Sequence, residues 1–258
     1  MPDADPFAEL AEPFGRHYET VRGIVRLELV MRQLGQHLPP PPATVIDVGG
    51  GGGRVALRLA SQGYAVTIAD PSAEMLARAQ ALLREAPEAV RDRVDLVEVG
   101  GQDAPARFGE GTFDAVCCHG VLAYLEEPDA MIGALVSLAN RSGVISILAK
   151  QGAALALRPG LQGRWSDALA ALDSDRDTGN LGAVTRADTL EHLELALDNA
   201  GAELVAWYGV RLFTDHLGPE LPGGDIAEIL EAEWQASWRD PYRSISRMIH
   251  LIGRPTSR

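Results

Sequence analysis

The chain has 258 residues, of which 46% are hydrophobic and 23% charged, and its formal net charge is -13. This length and composition predict one globular domain, residues 1–258, with a sizeable core. The acidic balance disfavours broad electrostatic binding to nucleic acid or to anionic membranes. The N-terminus is acidic and no apolar run approaches the ~18 residues of a membrane span, so we expect a cytoplasmic protein without a signal peptide.

Residues 1–42 are predicted to form an N-terminal helical cap. Apolar side chains recur at helical spacing between residues 20 and 38, with charged side chains between them. Four consecutive prolines, residues 39–42, then end the pattern. A different architecture therefore begins at Thr44.

From Thr44 onwards, short apolar strands alternate with helices. The predicted strands are 45–48, 65–69, 94–99, 113–118, 144–148, 204–208 and 246–252. The predicted helices are 54–62, 72–83, 128–139, 186–200 and 225–237. This alternation predicts an α/β fold with a doubly wound, mainly parallel seven-stranded sheet covered by helices on both faces. Residues 151–185 interrupt the rhythm, and we expect them to form an inserted helical lid or substrate segment.

The two cysteines, Cys117 and Cys118, are adjacent in the fourth predicted strand. Neighbouring strand residues point to opposite faces, so a disulfide between them is disfavoured. No further metal-ligating side chains accompany them, and we predict no metal site. Both cysteines are expected to be small buried core residues.

A glycine-rich loop follows the first strand and opens the first helix of the α/β region. Glycines there let a ligand approach the backbone at the carboxyl end of the sheet. An acid directly before them, Asp47, disfavours a pyrophosphate and favours a cationic sulfonium with an amino group. Asp70 ends the second strand, where an acid can accept hydrogen bonds from ribose hydroxyls. A dinucleotide site and a ligand-free glycine turn are the alternatives. The candidate cofactor-binding residues are Asp47, Gly49, Gly50, Gly51, Gly53 and Asp70.

Residues 44–150 resemble the class I methyltransferases, whose Rossmann-like fold binds S-adenosyl-L-methionine. The resemblance includes Gln102 and Asp103 after the third strand, and it implies that both residues contact the adenine. It also includes the end of the fourth strand, where it implies that His119 lies below the reacting centre.

Almost the whole chain resembles the bacterial tRNA 5-carboxymethoxyuridine methyltransferases, which esterify a wobble-uridine side chain. The matching segments are residues 14–26, 119–122, 209–215, 240–242 and 247–250, together with Pro128. The resemblance implies that Arg26 binds the cofactor's carboxylate and that His119 lies in the cofactor pocket.

A carboxylate acceptor is ionised at pH 7 and needs no general base. It does need cationic or hydrogen-bonding groups that hold it in line with the methyl group. The candidate catalytic residues are His119, Arg211, Tyr242, Arg247 and His250, with Arg243 as a further candidate. A surface ion pair or a polar core position is the alternative for each of them.

The predicted insertion differs from the family pattern, which has a basic cluster there. Residues 173–180 of this chain are net acidic and would repel a phosphate backbone. Four arginines could form a smaller patch nearby: Arg158, Arg164, Arg176 and Arg186. A small-molecule carboxylate or hydroxyl acceptor, bound by the apolar side chains of the insertion, is therefore the alternative to tRNA.

Two other function classes use a similar cofactor loop. A non-catalytic regulatory protein that binds S-adenosylmethionine or S-adenosylhomocysteine would keep the loop but lose an open acceptor pocket. A nicotinamide-dependent oxidoreductase is disfavoured because the chain has no Tyr-x-x-x-Lys pair, and its single lysine is Lys150.

Overall fold

A computed structural model of the protein describes residues 18–178, 184–218 and 220–256. The strands in chain order are β1 Thr44–Val48, β2 Ala65–Asp70, β3 Val94–Glu98, β4 Phe113–His119, β5 Ala139–Lys150, β6 Arg176–Thr178, β7 Val184–Arg186, β8 Ala202–Val210 and β9 Met248–Pro255. Seven of them form one sheet in the order β3-β2-β1-β4-β5-β9-β8, and β6 and β7 form a separate antiparallel pair.

The large sheet is doubly wound around β1. This strand pairs in parallel with β2 on one side and with β4 on the other, and only β9 runs antiparallel to its neighbours β5 and β8. The sequence prediction of a mainly parallel seven-stranded sheet is confirmed. A ligand crevice is expected outside the carboxyl ends of β1 and β4, where the strand order reverses.

Ten α-helices lie within the described residues. They are α1 Val21–Leu34, α2 Arg54–Ser61, α3 Ala73–Glu85, α4 Glu88–Arg91, α5 Ala104–Phe108, α6 Pro128–Leu138, α7 Leu157–Leu161, α8 Trp165–Leu172, α9 Leu190–Ala200 and α10 Ile226–Ser237. Short 3₁₀ turns lie at Leu122–Tyr124, Gly152–Ala154 and Arg243–Ile245. None of these described helices is long and apolar enough to cross a membrane.

Alternate residues of the central strands pack into two separate core layers. Val116 and Cys118 pack in the layer that contains α6 and α9, whereas Ala115 and Cys117 pack in the layer that contains α2 and the end of α1. Both cysteines are free and fully buried, as predicted. The strand period of two therefore places Cys117 and His119 on the α1 side of β4.

The N-terminal region and the insertion are described in part. Residues 1–17 of the predicted cap and residues 179–183 of the predicted insertion lie outside the described residues. The described cap contains α1, which begins after Thr20, whose hydroxyl accepts a hydrogen bond from the amide of Gly23 at 3.3 Å. The described insertion contains α7, α8 and the hairpin β6–β7. The assignment of these segments as a cap and a lid stays a prediction.

One predicted helix begins later than its pattern suggested. Residues 186–200 were expected to be helical, but Arg186 pairs with Arg176 in the β6–β7 hairpin. The helix starts at Leu190 because Thr189 caps it, accepting a hydrogen bond from the amide of His192 at 3.2 Å. Apolar periodicity detected the helix but not the short hairpin before it.

Candidate active site

The glycine loop after β1 adopts a backbone that excludes side chains. Gly49, Gly51 and Gly53 have φ angles of 67°, 52° and 77°. A Cβ atom at Gly49 would overlap Val121, and one at Gly51 would lie 2.7 Å from the Cε atom of Met75. The loop therefore requires glycine at these positions.

Asp70, at the end of β2, holds this loop. Its Oδ2 accepts a hydrogen bond from the amide of Gly51 at 2.8 Å, and its Oδ1 accepts one from the amide of Ser72 at 2.9 Å. Each carboxylate oxygen can accept two hydrogen bonds. The predicted hydrogen bonds from ribose hydroxyls to Asp70 stay a prediction. The loop-holding role of Asp70 was not evident from sequence.

Asp47 is a buried carboxyl group with an unpartnered oxygen. Its side chain is 2% exposed, and among the described residues Oδ2 has no hydrogen-bond partner. Burial, and then the nearby charge of Asp70, raise the pKa of Asp47 to about 7, whereas Arg26 opposes the shift. A cationic ligand would satisfy this oxygen and favour the carboxylate. The site therefore fits a ligand with a sulfonium and an ammonium group.

Arg26 and His119 complete this part of the site. Arg26 Nη2 donates a hydrogen bond to the carbonyl of His119 at 2.9 Å, and a Cβ atom at Gly120 would lie only 2.7 Å from it. Asp47 pairs with Cys117 in the sheet, so His119 is level with Gly49. Burial, and then Arg26, lower the pKa of His119 to about 3, so its ring is neutral. The structure thus brings Arg26, Asp47 and His119 together.

Gln102 and Asp103 lie at the same edge of the sheet, after β3, and their side chains are exposed. Gly101 before them is buried, and a Cβ atom there would lie 2.6 Å from side-chain atoms of Val48 and Met131. This close packing brings the loop against the carboxyl end of β1. Their predicted contact with adenine stays a prediction.

A second group of charges gathers at the carboxyl ends of β5 and β8. We call it the cationic cluster, and it consists of Lys150, Arg158, Arg211, Arg247, Asp177 and Asp215. Arg211 follows β8, Lys150 ends β5, and Arg247 precedes the antiparallel β9, so the topology brings all three to one edge. Arg211 Nη2 lies 3.0 Å from Asp215 Oδ1, and Arg247 Nε lies 3.7 Å from Asp215 Oδ2.

Asp177 comes from the predicted insertion and enters the cluster from β6. Its carboxylate lies 2.7 Å from Lys150 Nζ and 3.5 Å from Arg158 Nη2, and it also contacts Arg247. Burial alone would raise the pKa of Asp177, but these cations hold it below its ordinary value. Four cations thus face two carboxylates, which leaves an excess of positive charge.

The cationic cluster borders a small cleft, lined by Ala154, Leu157, Arg158, Leu161, Arg211, Leu212, Asp215, His216, Ile245 and Arg247. Arg211 Nε and Arg247 Nη1 are buried without a hydrogen-bond partner in the described structure. Burial lowers the pKa of Arg211 to about 10 despite Asp215, so the guanidinium remains charged at neutral pH. The unpartnered guanidinium nitrogens suit an anionic group.

Arg211 is held in an unusual backbone conformation. Its φ is 62°, a value uncommon for residues other than glycine. The next turn is fixed by Glu233 of α10, whose carboxylate accepts hydrogen bonds from the amides of Leu212, Phe213 and Thr214 at 2.8, 2.9 and 2.9 Å. Sequence reasoning missed Glu233, because nothing local distinguishes it from its exposed neighbours on α10.

Three of the five predicted catalytic residues do not line the cleft: His119, which lies beside the cofactor loop, and His250 and Tyr242. His250 is fully buried in β9, where its ring nitrogens contact Ser146 and Gln33. The antiparallel register places its ring beneath α1, so it does not reach the acceptor position we predicted. Tyr242 is 45% exposed, with its ring 6.3 Å from that of Phe213.

Arg243, the further candidate, is engaged elsewhere. Its Nη2 donates a hydrogen bond to Asp240 at 2.7 Å, and its guanidinium lies 3.9 Å from the centre of the Trp207 ring. These contacts are those of a structural ion pair and a cation–π pair. Arg243 therefore does not contribute to the cleft.

The arginines of the insertion do not form the basic patch that we considered. Arg158 is buried in the cationic cluster. The other three pair with carboxylates in the described structure: Arg164 contacts Asp167, Arg176 lies 3.2 Å from Glu126, and Arg186 lies 2.8 Å from Asp188. Within the described residues, no group of three or more His, Cys, Asp or Glu side chains is arranged to hold a metal ion.

Residues 46–145 match the family model described as a methyltransferase domain. Over 255 residues the chain is 28% identical to the tRNA 5-carboxymethoxyuridine methyltransferase of Escherichia coli O157:H7, covering 96% of this chain and 95% of that relative.

Solved structures share the fold. Magnesium protoporphyrin IX methyltransferase from Synechocystis PCC 6803, with bound S-adenosylhomocysteine, superimposes with a TM-score of 0.64 at 17% identity, over 97% of this chain and 96% of that chain. An S-adenosylmethionine-dependent methyltransferase from Mesorhizobium loti gives a TM-score of 0.61 at 16% identity, over 88% and 97% of the two chains. The family match thus identifies a methyltransferase domain that contains the glycine loop, and the solved structures show that the fold is Rossmann-like.

Proposed function

We propose that this enzyme transfers a methyl group to the carboxylate of 5-carboxymethoxyuridine in tRNA and forms a methyl ester. The observation that carries the proposal is the cationic cluster, which opens onto a cleft at the same sheet edge as the cofactor loop. Arg211 and Arg26 lie close enough for their charges to interact. The end-to-end similarity to a tRNA 5-carboxymethoxyuridine methyltransferase supports this acceptor. Such a substrate implies a cytoplasmic protein with tRNA as its partner.

In the proposed complex, S-adenosylmethionine supplies an electrophilic methyl group on a sulfonium. Arg26 holds its carboxylate and Asp47 its cationic end. Asp70 accepts hydrogen bonds from the ribose, and Gln102 and Asp103 flank the adenine. All of these groups lie at the carboxyl edge of the sheet, so one ligand can span them.

Arg211 and Arg247 hold the acceptor carboxylate through their unpartnered guanidinium nitrogens. The attacking oxygen is already ionised at pH 7, so no residue has to remove a proton from it. Its bond to the methyl carbon forms as the carbon–sulfur bond breaks, and the electron pair of that bond stays on sulfur. The contribution of the protein is therefore positioning and desolvation of the acceptor.

A small-molecule carboxylate is the second candidate acceptor. It is favoured by the pairing of Arg164, Arg176 and Arg186 with carboxylates and by the net charge of -13, since both weaken attraction for a phosphate backbone. A non-catalytic cofactor-binding role is disfavoured by the unpartnered guanidinium nitrogens of Arg211 and Arg247, which suit an anionic acceptor.

The deciding experiment is methyl transfer from labelled S-adenosylmethionine to tRNA that carries 5-carboxymethoxyuridine, with tRNA lacking the modification as the control. We expect label on the modified tRNA alone, released by mild base as an ester requires. Tight cofactor binding without transfer to either tRNA would contradict the tRNA acceptor and favour a small carboxylate.

Arg211→Ala tests the role of the cationic cluster in the same assay. Loss of charge-assisted hydrogen bonds worth about 1.5–3 kcal/mol predicts a fall in kcat/KM for the acceptor of roughly 10- to 150-fold. The affinity for S-adenosylmethionine, measured by calorimetry, should change less than about twofold. Arg239→Ala, an exposed arginine, is the matched control. An equal loss of cofactor affinity would place Arg211 in the cofactor site instead.

A further inference from the structure

A continuous chain of hydrogen bonds runs from α1 across the face of the sheet beneath it to His119. Gln33 Nε2 donates to the carbonyl of Gly209 at 3.2 Å, and Gln33 Oε1 lies 2.7 Å from His250 Nδ1. His250 Nε2 lies 2.8 Å from Ser146 Oγ, which lies 2.8 Å from His119 Nε2. Gln33, Ser146 and His250 are completely buried. Water therefore does not interrupt the chain.

The carbonyl of Gly209 determines which group donates and which accepts in each hydrogen bond of this series. A carbonyl only accepts hydrogen bonds, so the amide nitrogen of Gln33 must face it and Oε1 must face His250. Oε1 is itself an acceptor. His250 therefore carries its hydrogen on Nδ1 and donates it to Gln33.

The direction passes through Ser146 to His119. Burial, and then the neighbouring rings of His119 and His37, lower the pKa of His250 well below its ordinary value, so the ring is neutral and its Nε2 is bare. Ser146 donates its single hydroxyl hydrogen to that nitrogen. Its oxygen can then only accept from His119. His119 is therefore the Nε2–H tautomer.

This tautomer leaves a lone pair on Nδ1 of His119. The atom is buried and, within the described structure, has no hydrogen-bond partner. The residue is level with Gly49, and its carbonyl receives Arg26. The His119 side chain therefore lies on the same face of the sheet as Asp47, at the level of the glycine loop.

We propose that Gln33, His250 and Ser146 are positioning residues that fix His119 as the Nε2–H tautomer, so that Nδ1 offers a lone pair to the cationic end of the cofactor. The opposite tautomer would point an N–H dipole at a sulfonium or an ammonium group and repel it. The proposal concerns cofactor binding and holds whichever acceptor is methylated. A failed tRNA assay therefore leaves it unaffected.

The wild-type protein tests the tautomer directly. Nitrogen-15 NMR of the histidine-labelled, ligand-free enzyme distinguishes a ring nitrogen that bears hydrogen from one that does not. His119→Gln identifies the His119 signals by their disappearance. We expect hydrogen on Nε2 and a bare Nδ1 over the neutral pH range. Hydrogen on Nδ1, or rapid exchange between the two forms, would overturn the proposal.

Gln33→Glu is designed to exchange donors and acceptors along the series of hydrogen bonds. A carboxylate there favours a doubly protonated His250, which then donates to Ser146. Ser146 must then donate to His119 Nε2, so the hydrogen of His119 moves to Nδ1. We expect the inverted NMR pattern and a loss of S-adenosylmethionine affinity of about tenfold or more. Gln36→Glu, an exposed position just beyond α1, is the matched control. An inverted pattern with unchanged affinity would overturn the proposed role.

Ser146→Ala covers the case in which Gln33→Glu does not fold. It removes the Ser146 hydroxyl and so interrupts the series of hydrogen bonds without adding charge. Ser142→Ala, on the exposed part of β5, is its control. We expect a mixture of His119 tautomers together with weakened cofactor binding. A single Nε2–H tautomer in this variant would mean that the chain does not fix the ring, and it would overturn the proposal.

Discussion

Asp47 carries a negative charge only at a cost in this fold, since burial and the proximity of Asp70 raise its pKa to about 7. A bound cation favours the ionised form, so the pKa of Asp47 in the complex must be lower than in the free enzyme. Cofactor binding below pH 7 is then linked to release of a proton from Asp47. The cofactor affinity must rise with pH up to about 7 and level off above it.

This linkage is measurable by titration calorimetry in two buffers with different ionisation enthalpies. At pH 6 we expect the wild type to release most of one proton per S-adenosylmethionine bound, whereas Asp47→Asn should release much less and bind more weakly. Asp92→Asn, an exposed acid, is the control. His119 titrates near pH 3 and does not contribute in this range. Equal proton release by wild type and Asp47→Asn would refute the assignment.

At the scale of elements, α10 controls the loop that follows β8. Glu233 on this helix is almost completely buried and accepts three backbone hydrogen bonds from residues 212–214. These bonds compensate for the unfavourable φ of Arg211 directly before them. The acceptor cleft therefore depends on a helix whose backbone does not contribute to it.

Glu233→Gln replaces one accepting oxygen with an NH₂ group that faces backbone donors. We expect the free energy of unfolding to fall by about 1–3 kcal/mol in chemical denaturation. KM for the acceptor should rise, because Arg211 is less well held, and the affinity for S-adenosylmethionine should stay unchanged. Glu228→Gln, exposed on the same helix, should have neither effect. A loss of stability with an unaltered acceptor KM would show that Glu233 is only a structural residue.

At the scale of the whole molecule, the charge distribution limits the electrostatic affinity of this enzyme for a polyanion. The net charge is -13, and the excess cations of the cluster are buried beside the cleft rather than spread over a surface. Proteins that neutralise many phosphates lose about 10³- to 10⁵-fold in affinity between about 50 and 200 mM salt. In the proposed reaction, recognition of tRNA therefore rests mainly on the modified base.

We therefore expect KM for modified tRNA to rise by less than roughly tenfold over that salt range. Steady-state kinetics at several salt concentrations measure this dependence, and the KM for S-adenosylmethionine provides the control. A steep, thousandfold dependence would contradict the expectation and require an extended phosphate-binding surface.

Local patterns were sufficient to predict the sheet and the glycine loop, with Asp47 and Asp70 at the ends of its neighbouring strands. Strand alternation and the chemistry of a βα turn depend on residues close together in sequence, so their physical cause can be recognised there. No role was predicted for Ser146 or Gln33. Nothing local indicated that both contact His250.

The cationic cluster and the hydrogen-bond chain depend on the fold. Asp177 appeared in the sequence as part of an acidic, repulsive insertion, yet β6 turns it inward against Lys150 and Arg247. His250 appeared as an acceptor ligand, yet the register of β9 buries it behind His119. Coulomb interactions and hydrogen bonds act over a few ångströms in space. Their partners are therefore set by strand order and register, which bring distant parts of the chain together.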